Sequence, residues 1–254
     1  MSHYHPADLV ARVAALLPEG PLSARDLAPL DQFHVGGLKS TEALAARLAL
    51  RPGLTVLDVG CGVGGPSRWL AAQGCRVTGL DLSAPYVALA RVLAARTGQA
   101  VAYVEGDAQD LPFADAAFDV VWTQHTAMNI ADRARLYGGF ARVLAPGGRL
   151  ALHDVCAGAG AVHFPVPWAS HPDHSHLLSP GDLRACLDQA GFRLLHWRDD
   201  TADALAFLAR APQTPPPLSL RLLLGEGFPA MLANLRRTLE EGRAVMIEAI
   251  CEKR

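Results

Sequence analysis

Between Val56 and Pro66 the chain reads VLDVGCGVGGP: an apolar run closing on Asp58, glycines at 60, 62, 64 and 65, then a proline. A carboxylate near the end of a buried strand costs free energy unless N–H groups or a cationic ligand compensate it, so Asp58 points to a site. The glycines can take positive φ and let a ligand approach the backbone closely, and Pro66 suits a first helical turn. A strand, tight loop and helix start in this order present backbone N–H groups to a nucleotide-like ligand. About twenty residues on, Asp81 closes the strand-like CRVTGLDLS, where a carboxylate can take both hydroxyls of a ribose. A third strand-like run, VAYVEGD, ends at Asp107. Gly60 to Gly65 also satisfies G-x-G-x-x-G, which alone is a weak dinucleotide signal.

These residues need a sheet to gather them. From Leu54 strand-like and helix-like stretches alternate, which predicts βαβ units and a mostly parallel sheet. Ser83 caps a crossover helix with Pro85 in its first turn and Gly98 as its stop. FDVVWTQ, 118–124, is a fourth strand. A helix from about Asp132 to Leu144 precedes a Pro146-Gly147-Gly148 turn, and RLALHDV is a fifth strand. Right-handed crossovers put the carboxyl ends on one edge, collecting Asp58, Asp81, Asp107, Gln124 and His153 around a crevice.

Before the sheet, Leu9, Val13, Leu16 and Leu17 fall on one helical face, and residues 31–41, DQFHVGGLKST, form a connector to a helix capped by Ser40 or Thr41. After it, residues 157–180 have no period and carry Phe164, Trp168, His171, His174 and His176, the mark of a lid or binding loop. Ser179-Pro180 opens a helix ending at Gly191, and FRLLHWRD is a sixth strand. An insert over 201–242, broken by Pro215-Pro216-Pro217, places Phe228, Met231, Leu232, Leu235 and Leu239 on one face and is expected to cap the crevice. AVMIEAICEK is the last strand.

The ordered set LDVGCGVGG, GLDLS, GDAQDLPF and RVLAPGGRL resembles the class I S-adenosylmethionine-dependent methyltransferases, firmly over about 54–155. The likeness is to the small-molecule type, similar to the ubiquinone/menaquinone-biosynthesis and sterol methyltransferase-like group. It implies an α/β Rossmann-like fold with a seven-stranded sheet in the order 3-2-1-4-5-7-6, the last strand antiparallel, with N-terminal helices and a helical insert. Residues 1–254 then form one such domain: 1–50 an N-terminal helical cap, 51–156 the cofactor-binding core, 157–254 the substrate loop, insert and last strands. S-adenosyl-L-methionine is the implied cofactor. Asp81 would hold its ribose, Asp107 and the N–H of Ala108 its adenine, with Leu82 against the ring. Asp58, Gly60, Cys61, Gly62 and Gly64 would serve the methionine half, with Gln124 beside them. His34, Gly36, Gly37 and Lys39 would fold over that end.

For the acceptor, QHTAMNI after the fourth strand lies where the family places residues near the methyl group. His125, with His153 as second candidate, could orient an acceptor or take its proton, and Asn129, Trp168 and His171 would contact substrate. The chain lacks the proline-rich tetrapeptide of base N-methylation and the paired glutamates of protein arginine methylation. With a net charge of −2 it has no electrostatic pull toward nucleic acid or an anionic membrane, so the expected partner is a small molecule; a homodimer is left open. His171, His174 and His176 have no companion Cys pair, so no metal is expected. No apolar run reaches the length of a membrane span, MSHYHPADLV lacks the features of a signal peptide, and five scattered cysteines suit a reducing, cytoplasmic setting. Two other functions fit parts of the pattern: an NAD(P)-dependent oxidoreductase using the glycine fingerprint, and a non-catalytic cofactor-binding protein of the same fold.

Overall fold

The computed structural model describes residues 9–212 and 214–254. The reading of residues 1–8 as free of a targeting segment lies outside them.

Seven strands form one sheet: β1 (Thr55–Val59), β2 (Arg76–Asp81), β3 (Val101–Glu105), β4 (Phe118–Gln124), β5 (Leu144–Ala157), β6 (Phe192–Asp199) and β7 (Ala244–Lys253). Their order is β3-β2-β1-β4-β5-β7-β6, with β7 antiparallel to both neighbours and β1 to β5 parallel, as expected. Strand side chains alternate between the faces, and two cores result. Leu57, Val121 and Leu152 pack under α6 (Arg133–Val143) and α7 (Pro180–Gln189); Val56, Val120, Trp122 and Ala151 pack under α3 (Gly37–Leu48) and α4 (Gly65–Ala72). α5 (Ala84–Thr97) takes its cap from Ser83, whose Oγ accepts the Tyr86 N–H, and ends at Gly98 in the left-handed region.

Several expectations shift. The Pro146-Gly147-Gly148 turn is not a separate loop: β5 begins at Leu144 and carries these residues as an irregularity, its register against β4 jumping between Phe118 and Val120. β3 stops at Glu105, so Asp107 stands two residues beyond it. Ser40 and Thr41 are not caps, because α3 starts at Gly37, after Gly36 in the left-handed conformation. α1 (Leu9–Ala14) buries Leu9 and Val13 but leaves Leu16 exposed beyond its end. A further helix, α2 (Ala24–Asp31), was hidden by Pro29, which sits inside it; its capping box of Ser23 and Asp26 was the available signal. The insert has three helices, α8 (Thr201–Ala209), α9 (Leu220–Leu224) and α10 (Phe228–Glu240), and α10 turns the expected Phe228, Met231, Leu235 and Leu239 inward.

The N-terminal helices and the insert join over the carboxyl edge of the sheet. Leu9, Val13, Leu27 and Leu30 share a core with Leu223 and Phe228, while Val35 and Trp168 share one with Leu208, Leu235 and Leu239. Below that roof, Arg68 of α4 donates from Nη2 to Asp31 Oδ2 and from Nη1 to Val63 O, each at 2.6 Å, with both side chains no more than 2% exposed. Removing one member of a buried pair strands the other charge, at a cost of about 3–5 kcal/mol. Asp31→Ala is therefore expected to lower unfolding free energy by about that amount in a denaturant titration, and Asp31→Leu/Arg68→Met to recover most of it. A loss below about 1 kcal/mol in the single variant would show the pair to be solvated.

Candidate active site

A cavity of about 420 Å³ opens at the carboxyl edge of β1, β2 and β4. Register places its groups: Asp81 ends β2 beside Glu105, and Gln124 ends β4 beside His153 of β5. Asp81 Oδ2 accepts the Gly62 N–H at 2.8 Å and Oδ1 the Ser83 N–H at 2.9 Å, so the glycine loop fixes the carboxylate that lines the cavity. Burial raises its pKa, partly offset by those two N–H groups. Leu82 lies on the rim with 72% of its surface exposed, an apolar side chain without a protein partner to justify it. Asp107, whose Oδ1 accepts the Gln109 N–H at 2.8 Å, lines the same wall with Ala108. Gln124 Oε1 takes Trp122 Nε1–H at 2.9 Å and Thr41 Oγ1–H at 3.1 Å, leaving Nε2 buried without a partner. Asn129 and Trp168 complete the lining, with Trp168 Nε1–H held by Ser175 Oγ at 2.9 Å.

Other expected residues lie elsewhere. Asp58 is under the loop, its Oδ2 accepting Ser67 Oγ–H at 2.5 Å, and burial lifts its pKa to about 7, with Asp81 adding to the rise. Cys61 turns its sulfur toward Gly79 and Tyr103 and is not among the residues that line the cavity. Gly64 is a glycine because a Cβ there would sit 2.2 Å from the Tyr103 hydroxyl at φ +81°; packing, not a ligand, excludes a side chain. Gly60 lines the cavity at φ +73°, and a Cβ there would meet Thr126 Oγ1 at 2.1 Å. His171 points outward, 64% exposed and paired with Asp173 at 3.2 Å, whereas His174 and His176 face the cavity instead. The loop is pinned rather than free, with His176 N–H on Met128 O and Arg133 Nη2 on His176 O.

His34 and Gly37 do not join the first cavity. They line a second one of about 350 Å³, roofed by the insert and floored by the connector. Phe33, His125 and Trp168 are the residues that line both. His125 holds φ +52°, unusual for a non-glycine residue, and is fixed by its N–H on His153 O at 2.8 Å. Its Nε2 is buried without a hydrogen-bond partner. Desolvation, then the neighbouring His153 and His34, drive its pKa well below the ordinary value. The three imidazoles have centroids 5.2 to 6.3 Å apart. His34 Nε2 faces Gly37 O at 3.0 Å; a carbonyl only accepts, so this nitrogen carries the proton, and burial lowers the ring's pKa to about 3. His153 lies between Ser40 Oγ on Nδ1 and Asp200 Oδ2 on Nε2, both at 3.4 Å. The Asp200 distance is an ion-pair separation without hydrogen-bond alignment, since His153 Nε2 has no bonded partner by angle.

Sequence reasoning missed Phe33, Thr126, Asp200 and the pair Asp31–Arg68. An aromatic inside a glycine-bearing connector was a signal for Phe33; Asp200 and Arg68 had none, because their partners are distant in the chain.

Residues 57–152 match the family model described as a methyltransferase domain. O-methyltransferase resE of Aspergillus sclerotiorum is 33% identical over 84% of this chain and 82% of its own. The chain belongs to the class I S-adenosylmethionine-dependent methyltransferases of the small-molecule type. The 27-O-demethylrifamycin SV methyltransferase of Amycolatopsis mediterranei is 43% identical, over 45% of this chain and 43% of that protein. Among solved structures, the [4+2]-cyclase SpnF superposes with a TM-score of 0.68 at 25% identity, covering 85% and 80% of the two chains. Backbone likeness thus carries the fold, and the sequence relatives carry the chemistry. The family's donor is S-adenosyl-L-methionine, and the nicotinamide reading is set aside. The methyltransferase site fits that donor: it has a carboxylate fixed at a strand end, an exposed apolar rim residue and an unpartnered buried amide, Gln124 Nε2. Among the described residues no group of three or more His, Cys, Asp or Glu is arranged to hold a metal ion.

The lowered pKa of His125 has a direct test. With its pKa driven down by desolvation, its ring is expected to stay neutral from pH 8 to about pH 5.5, seen as constant imidazole nitrogen shifts in a labelled sample. A protonation step near pH 6.5 would mean that water reaches the ring.

Proposed function

We propose that this methyltransferase methylates a hydroxyl oxygen of a small molecule, with His125 receiving the hydroxyl proton. The observation that carries this reading is that His125 lines both cavities while its buried Nε2 has no partner among the described residues. The first cavity takes the donor: Asp81 the ribose, Asp107 and the Ala108 N–H the adenine edge, Leu82 its face, and Gly60, Gly62 and Gln124 the methionine half. Asp58 acts from beneath the loop through its charge. Asn129 and Trp168 border the reacting end. His34 and Gly37 belong to the acceptor cavity instead of the donor, and His153 backs His125 as a positioning residue.

When bound, S-adenosyl-L-methionine supplies a methyl group activated by its sulfonium. The chain's part is to line up the acceptor oxygen, exclude water and hold a proton acceptor. A neutral imidazole of low basicity suffices for that last part, since the hydroxyl becomes strongly acidic as its oxygen acquires the methyl group. Low basicity keeps the ring neutral, and in its Nδ1–H tautomer Nε2 carries the free lone pair. The reading is supported by an O-methyltransferase relative that spans most of the chain.

The same reading makes the chain one working unit, with the helices of 9–50 and the insert over 201–242 roofing the core and β6 and β7 completing its sheet. It makes the acceptor a small molecule rather than nucleic acid, consistent with the net charge of −2. No helix among the described residues is long and apolar enough to cross a membrane, and all five cysteines are free, which supports a cytoplasmic enzyme.

In single-turnover assays His125→Ala is expected to slow methyl transfer at least about a hundredfold while S-adenosylhomocysteine affinity stays near wild type. Retention of most of the rate would leave positioning and desolvation as the whole of catalysis. For the donor, Asp81→Ala should weaken binding about 10- to 100-fold in calorimetry, through loss of at least one charge-assisted bond. Asp58 adds a pH dependence. Its carboxyl, raised to about 7, is protonated below that pH, so affinity for the cationic donor should rise as pH passes from 6 to 8, and Asp58→Asn should flatten the rise. A wild-type affinity that does not change with pH would separate Asp58 from the donor's charge.

A further inference from the structure

We infer that the second cavity selects an uncharged, largely apolar alcohol or phenol, which meets the wall by dispersion and the protein's polar groups through one hydroxyl at His125. This deepens the O-methylation reading and rests on it for the hydroxyl. The cavity, about 350 Å³, is within the usual range for drug-sized ligands and is far larger than an amino alcohol needs.

Charge is what the wall lacks. Among its described residues there is no Asp, Glu or Lys, and the single Arg210 is solvent-exposed. A phosphate or diphosphate acceptor requires a converging set of cationic side chains or backbone N–H groups. Here six lining residues are prolines, Pro29, Pro167, Pro212, Pro215, Pro216 and Pro229, which have no N–H to give. No carboxylate among the described residues faces the cavity to offset the desolvation of an ammonium acceptor.

Of the polar side chains present, Gln32, His34 and Trp168 are engaged within the protein. Gln32 Nε2 donates to Asp31 Oδ1 at 2.9 Å and its Oε1 lies 3.3 Å from Thr41 Oγ1, while His34 Nε2–H is on Gly37 O. His125, which lines both cavities, keeps a buried Nε2 with no partner among the described residues. A ligand with several buried polar groups would find no partners for the others. One with a single hydroxyl on an apolar frame is satisfied at the point where the methyl group must arrive.

Calorimetry with S-adenosylhomocysteine saturating should show 2-naphthol binding at least tenfold more tightly than 2-naphthyl phosphate or N,N-dimethylethanolamine. Phe207 lines the cavity and is 42% exposed, so Phe207→Glu places a charge on the wall without emptying the core. It should weaken 2-naphthol about fivefold or more and leave S-adenosylhomocysteine unchanged. The inference is overturned if 2-naphthol fails to bind at 1 mM, if either charged probe binds as tightly, or if Phe207→Glu leaves 2-naphthol affinity unaltered. Binding of 2-naphthol without transfer of labelled methyl supports the cavity's selectivity and counts against the O-methylation reading instead.

Discussion

The buried ion pair of Arg68 and Asp31 is the contact on which the two halves of the site depend. Arg68 comes from the helix that follows the glycine loop, and Asp31 ends the helix that precedes the connector. The guanidinium also takes Val63 O, so one side chain fastens the loop to the N-terminal roof. A cation fully out of water is a poor source of net stability compared with apolar packing, yet it cannot shift without losing its only compensation. That makes it a device for register. Gly65 shows how close the fit is: a Cβ there would meet Asp31 O and Gln32 Nε2 at 2.5 Å. With α2 fixed in this way, Phe33 and His34 are carried to their places at the junction and in the second cavity.

The histidines follow from the same closure. Roofing removes water from His34 and His125, and desolvation keeps both rings neutral. His153 stands apart because Asp200, at the start of α8, lies within ion-pair distance. Although burial would raise the Asp200 pKa, contact with His153 and with Arg198 brings it below the usual carboxylate range. His153 is therefore touched by the N-terminal roof through Ser40 and by the insert through Asp200, while its carbonyl fixes the strained backbone of His125.

Elements whose stabilisation is local were legible in the sequence. β4, β6 and β7 have the bounds their apolar runs suggested, and Ser83, Asp132 and Ser179 cap the expected helices. That Asp81 and Asp107 line one cavity was legible too, because the ends of parallel strands and the loops that follow them face one crevice. What failed is what depends on distant partners. Cys61 and Gly64 sit in the fingerprint, but Tyr103 of β3 decides which way they face. His34 and Gly37 looked like a lid over the donor, yet α3 begins early and carries them to the other cavity. His171 shares a loop with His174 and His176, and only the pinning of that loop on Met128 and Arg133 determines which ring points inward.

On the proposed assignment of donor and acceptor, the arrangement separates two tasks that one cavity could not perform well. A cationic donor is favoured by carboxylates and N–H groups, whereas an uncharged acceptor is favoured by their absence. Were the two pockets one, Asp81 and Asp58 would impose their charge on the acceptor's surroundings and admit water with it. Phe33, Trp168 and His125 line both cavities, so the shared wall is apolar except at His125. On the proposed assignment, methyl transfer needs contact between the two ligands only along the line from nucleophile to sulfur, and His125, shared by both cavities, would border that line. A weak base is compatible with such a site, because the acceptor's proton becomes labile only when the methyl group is already in passage.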